Sequence, residues 1–142
     1  MTRKQNPFGS VYYPKRGKPR RAAARRTRSE PGKMNKTEQA YSEVLNRRIE
    51  AGEVVSWRYE PLTFRLAKRT TITPDFWVVM ADGSIEIHEV KACNANGSYR
   101  IEDDAAVKIK CAAEEYREFR WLLCGLKPKR IGAGWRIEEV GT

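Results

Sequence analysis

The tightest constraint in this chain is a parity condition on one β-hairpin. The segment Thr73-Pro74-Asp75-Phe76 leads a strand that turns at Ala81-Asp82-Gly83 and returns through His88-Glu89-Val90-Lys91. Side chains on a strand alternate faces, so Glu89 and Lys91 point the same way, as do Ile85 and Ile87. In an antiparallel hairpin the numbers of opposed residues add to a constant. A two-residue turn at Asp82-Gly83 sets that constant at 165 and puts Asp75 across from Val90, on the wrong face. A three-residue loop that closes Met80 against Ser84 sets it at 164 and puts Asp75 across from Glu89. The sequence therefore predicts the three-residue loop, with Gly83 left-handed as a G1 bulge, or else a bulge elsewhere in one strand.

Two carboxylates and an ammonium at one end of a two-stranded ribbon form an oxygen-rich site for a hard divalent cation, with a positive group beside it. Other chemistries have less to work with. His88 is the single histidine, which leaves little for a Ser-His-Asp or His-rich metal mechanism; by strand parity it points away from Glu89 and Lys91 and reads as a half-buried structural residue. Cys93, Cys111 and Cys124 are odd in number and have no Cys-x-x-Cys spacing, which argues for reduced thiols in a cytosolic compartment and against a disulfide frame or zinc site.

Charge is unevenly placed. Residues 1–33 hold eleven Lys or Arg, among them Arg20, Arg21, Arg25, Arg26 and Arg28, against one acid, Glu30. Residues 34–142 hold 17 basic and 17 acidic side chains, so the leader carries the whole excess of +10. Rich in Pro, Gly, Ser and Ala and lacking an apolar period, this leader reads as a disordered, flexible basic arm, with an end-to-end distance of about 30 Å as a coil. It suits nucleic-acid phosphates; a solvated tail or an import presequence are the alternatives. No apolar run approaches a membrane span.

The remaining residues, 34–142, read as one domain of mixed α/β class, an α+β mixed sheet in the order helix, strands, helix, strand. The first helix starts at the N-cap Asn35 and stops at Ala51-Gly52, with Ala40, Tyr41, Val44, Leu45 and Ile49 as its buried stripe and Glu38 facing inward. Extended segments follow at Val54–Glu60, Leu62–Lys68, Ile72–Met80 and Ser84–Ala92, with Pro61 as an edge or break. A second helix runs from Asp103 or Asp104 to about Glu118, burying Val107, Ile109, Ala112, Ala113 and Tyr116. Phe119–Leu126 and Trp135–Val140 close the sheet. Asn94–Arg100 reads as a mobile loop beside the site. Trp57, Tyr59, Phe76, Trp77, Tyr116, Phe119, Trp121 and Trp135 read as core aromatics. Tyr99 and Arg100 are the better nucleic-acid contacts, and of Lys108 and Lys110, which cannot share a helix face, one suits a surface pair and the other a phosphate.

A helix with an inward Glu38, Pro74-Asp75 on one hairpin strand and Glu89-Val90-Lys91 on the next resembles the PD-(D/E)xK nuclease superfamily. The blocks MNKTEQAYSEVL, AGEVVSWRYEPLTFRLA, TPDFWVVMADGSIEIHEVKA and EDDAAVKIKCAAEEY, over about residues 34–125, are similar to small phage-encoded endonucleases related to Holliday-junction resolvases. Ala92-Cys93 departs from the glycine that such proteins carry after the lysine. The resemblance implies a restriction-endonuclease-like core and a site for Mg²⁺, replaceable by Mn²⁺, held by Asp75, Glu89 and the Val90 carbonyl, with Glu38 as a further ligand and Lys91 aligning the attacking water. It also implies hydrolysis of DNA to 5′-phosphate and 3′-hydroxyl ends, branched DNA as substrate, a homodimer, and work in the cytoplasm of a bacterial host. The alternatives are a partner-targeted nicking nuclease of transposon ends or packaging, and a non-catalytic DNA-binding module.

Overall fold

The computed structural model describes residues 32–141, so Arg20, Arg21, Arg25, Arg26 and Arg28, and all of the arm they belong to but Gly32 and Lys33, lie outside it. Helix α1 (Lys36–Glu50) begins where the sequence places it: the Asn35 side chain accepts the Glu38 N–H at 2.9 Å and the Glu38 carboxylate accepts the Asn35 N–H at 2.8 Å, a reciprocal capping box. Strands β1 (Val54–Tyr59), β2 (Phe64–Ala67), β3 (Thr70–Ile72), β4 (Phe76–Met80) and β5 (Ile85–Ala92) follow. Helix α2 (Asp103–Glu115), β6 (Arg120–Leu126), a 3₁₀ turn at Lys129–Ile131 and β7 (Trp135–Glu139) complete an α+β fold.

The main sheet has the order β1-β4-β5-β6-β7 and is mixed: β5 and β6 are parallel and every other neighbouring pair antiparallel. Parallel pairing requires a crossover, which α2 supplies. Each face of the sheet then has its own core. Tyr41 and Leu45 of α1 pack on Val54, Phe76, Val78, Val90, Leu122 and Cys124, while Ile109, Ala112 and Ala113 of α2 pack with Phe64, Ile87 and Trp121 on the other face. The expected core aromatics all join one of these two clusters. Among the described residues no helix is long and apolar enough to cross a membrane.

The hairpin has the expected register. Phe76 faces His88, Trp77 faces Ile87, Val78 faces Glu86 and Val79 faces Ile85, a constant of 164. Gly83 sits at φ +85° and the Met80 N–H donates to the Ser84 carbonyl at 2.9 Å, closing the three-residue loop.

Several expectations are corrected. The run Ile72–Met80 is not one strand: the chain leaves the β2–β3 ribbon at Ile72 and enters the main sheet at Phe76, with Pro74-Asp75 as the corner. Ile49 and Val107, placed in buried stripes by periodicity, are exposed, because each helix is covered on one narrow side only. Helix α2 stops at Glu115. The Asn94–Arg100 segment is a closed turn: Asn94 N–H to Ser98 carbonyl at 2.7 Å, Arg100 N–H to Ala92 carbonyl at 2.7 Å, and a Cys93–Tyr99 bridge.

Candidate metal centre

Strand β5 is the spine of the site because both of its edges are paired and both of its faces are covered. Glu89 and Lys91 share the face of Ile87, and Asp75, at the corner before β4, lies beside them. The Asp75 carboxylate accepts the Val90 N–H at 2.7 Å, which fixes the corner to the strand carrying its partners. Its backbone carbonyl accepts the Glu60 N–H at 2.8 Å, tying in the end of β1, where Glu60 holds a left-handed φ of +45° just before Pro61.

Burial and like charge dominate the electrostatics. Desolvation, then the charge of Glu89, pushes Asp75 far above the ordinary carboxylate range, against the pull of the Val90 N–H. Glu89 is also raised, by burial, with Lys91 drawing it back. Lys91 Nζ stands 3.3 Å from Glu89 Oε1. Burial alone would lower the lysine, but the charges of Glu89 and Asp75 outweigh it and hold the ammonium protonated. The other oxygen, Glu89 Oε2, is buried and has no hydrogen-bond partner among the described residues.

Glu38 is buried at the N-terminus of α1, as its inward phase requires, and its charge is felt at Asp75, Glu89 and Lys91. Its Oε2 already accepts the Asn35 N–H and, at 2.8 Å, the Tyr59 hydroxyl. Sequence reasoning missed Tyr59 as a member of the site; its position two residues before Pro61, at the end of a strand aimed at the corner, was the available signal. Among the described residues no three His, Cys, Asp or Glu side chains stand ready as a metal cage. What is assembled is a pair, Asp75 and Glu89, with a third acid held close by.

The donor set fits an oxygen-ligated divalent cation. An unpartnered buried carboxylate oxygen next to a second buried carboxylate is costly unless a cation or a proton occupies the space between them. Mg²⁺ and Mn²⁺ accept such oxygens and retain waters, so a pair of carboxylates is compatible with either ion.

The remaining expected contacts are dispersed. The Tyr99 ring packs against Gly125, where an added Cβ would come within 2.6 Å of it, and lies under the Arg136 guanidinium at 4.6 Å. It is therefore committed to the packing of its own loop. Arg100 is exposed at the same end of the sheet. Lys108 is half-buried on α2, and Lys110 lines a hollow of about 540 Å³ between α2 and β7. His88, expected half-buried, is fully buried on the opposite face, between Tyr41 and Glu86. No family model, curated protein or solved structure matches this chain.

Proposed function

We propose that this chain is a divalent-metal-dependent DNA endonuclease built on a restriction-endonuclease-like core. The observation that carries the reading is the pair of buried Asp75 and half-buried Glu89 beside a charged Lys91, with the buried Glu89 Oε2 left without a hydrogen-bond partner among the described residues. Such a site fits phosphodiester hydrolysis, which needs cations to offset charge developing on phosphate oxygens and a water held in line. The Asp75 and Glu89 carboxylates and the Val90 carbonyl would hold Mg²⁺ or Mn²⁺, which when bound supplies charge neutralisation and an acidified water. Lys91 keeps its proton at neutral pH and places its ammonium where a phosphate oxygen or the attacking water needs a donor. Glu38, fixed by Asn35 and Tyr59, adds negative charge that favours cation entry. Lys91, the most exposed of the three at the carboxyl end of β5, is the group that meets the substrate, and the products are 5′-phosphate and 3′-hydroxyl ends.

The proposed substrate is branched DNA such as a four-way junction, by the resemblance of the TPDF, HEVK and DDAAVKIK blocks, and resolving a junction takes two coordinated cuts, hence a homodimer. The test is to incubate the protein with linear duplex, single strand, flap and four-way junction, with and without Mg²⁺, beside Asp75→Ala and Lys91→Ala. Expected are Mg²⁺-dependent symmetric nicks in the junction and a rate loss on the order of 10²-fold or more in either variant. Cleavage that persists in Asp75→Ala would overturn the reading.

A further inference from the structure

Between Phe119 and Ile137 the chain carries five cations, Arg120, Lys127, Lys129, Arg130 and Arg136, and no acid. Arg120 is paired with Glu86 and Glu139, and Arg136 with Glu138. The acids of β7 are thus taken. Lys127, Lys129 and Arg130 enter no ion pair among the described residues.

The sheet register places these three. Strands β5 and β6 are parallel, with Lys91 facing Gly125 and Ala92 facing Leu126, so Lys127–Arg130 leaves the sheet at the end where Lys91 sits. Neighbouring strands are about 4.8 Å apart and four residues span at most about 14 Å, which keeps the Lys129 backbone within roughly 20 Å of Lys91. That is about six nucleotide steps at 3.4 Å each. The turn is a built one. Pro128 caps the 3₁₀ segment, the Lys127 N–H donates to the Gly134 carbonyl at 2.9 Å, and Gly132 at φ +106° ends the segment. Ile131 lies 4.0 Å from the Cβ position of Gly97, and Arg136 Nη1 donates to the Gly97 carbonyl at 2.7 Å, so the turn is joined to the loop that leaves β5. In open sheets, ligands gather beyond the carboxyl ends of parallel strands.

We propose that the Lys127–Arg130 turn is a phosphate-binding rim that grips the nucleic-acid backbone alongside the Asp75–Glu89–Lys91 site. It rests on the proposed function only for the identity of its partner. The contact is to phosphates and carries no base readout.

The test uses the full chain in EDTA, where binding is read without cleavage. Affinity for a duplex is measured from 50 to 300 mM salt for wild type, for Lys129→Gln/Arg130→Gln, and for Arg47→Gln/Arg117→Gln, which removes the same charge elsewhere. Thermal melts confirm that each variant folds. The rim variant is expected to bind more weakly, with a log-log salt slope shallower by about 2, while the control changes little. Equal slopes in both variants, no duplex binding by the wild type, or wild-type binding to anionic vesicles but not to duplex would each overturn the rim. Wild type that binds duplex through these residues yet never cuts with Mg²⁺ would instead remove the nuclease reading and leave the rim standing.

Discussion

Asp75 concentrates the cost of the site. Its carboxyl is raised from 3.8 to about 9, chiefly by burial and then by Glu89. A carboxyl whose folded pKa lies above its unfolded value binds a proton in the folded state that the unfolded state has lost, so its effect is to erode stability as pH rises from about 4 to about 9. Asn keeps the oxygen that accepts the Val90 N–H and removes the ionisation. Asp75→Asn should therefore melt higher than wild type at pH 7.5 in EDTA, by roughly 4–8 °C for each kcal/mol recovered, and the gap should shrink towards pH 4.5. An Asp75→Asn protein that melts at or below wild type at pH 7.5 would mean that the carboxyl is not under this strain. The parity of the hairpin was legible in the sequence because a turn length fixes a register, which runs as far as Phe76 facing His88; Asp75 follows as the corner. The engagement of Glu38 by Tyr59 was not, since it depends on where β1 ends in space.

Strand β5 works as an element because its other face is closed by a directed chain of hydrogen bonds. Cys124 Sγ–H donates to the Tyr41 hydroxyl at 3.3 Å, and that hydroxyl donates to His88 Nδ1 at 2.6 Å. Burial depresses the His88 pKa, leaving a neutral ring whose Nε2–H donates to Glu86 at 2.8 Å, and Glu86 is bound in turn by Arg120. The chain joins α1 and β5, which carry Glu38, Glu89 and Lys91, to β6. Tyr41→Phe keeps the ring packing but strands His88 Nδ1 without a partner, which costs about 1–3 kcal/mol of unfolding free energy in denaturant titration. An unchanged midpoint would show that the link is not structural. Helix and strand identities were readable from capping and alternation; the break at Pro74-Asp75 was not, because Ile72–Met80 is β-prone on both sides of the corner while its two halves belong to different sheets. The exposure of Ile49 and Val107 was hidden for a related reason: periodicity names a helix face, and only the neighbours decide how wide a stripe is covered.

At the scale of the whole molecule, the chain combines a formally neutral domain with a leader that carries its entire excess charge. Lys127, Lys129 and Arg130 follow β6 at the sheet end where Lys91 sits, and that placement follows from the parallel β5–β6 pairing, a long-range feature no local pattern announces. Two closely placed acids shielded from water are a liability without a cation, so the proposed metal site predicts linkage between folding and metal: whatever binds the folded state alone raises its melting temperature. The most direct measurement is thermal unfolding of wild type, Asp75→Ala and Glu89→Gln over a Mn²⁺ series at pH 7.5. Wild type should be stabilised by about 2.7 kcal/mol at a hundredfold excess over its dissociation constant, and both variants by far less. Equal stabilisation of all three, or none in the wild type, would contradict the metal site on which the proposed activity depends.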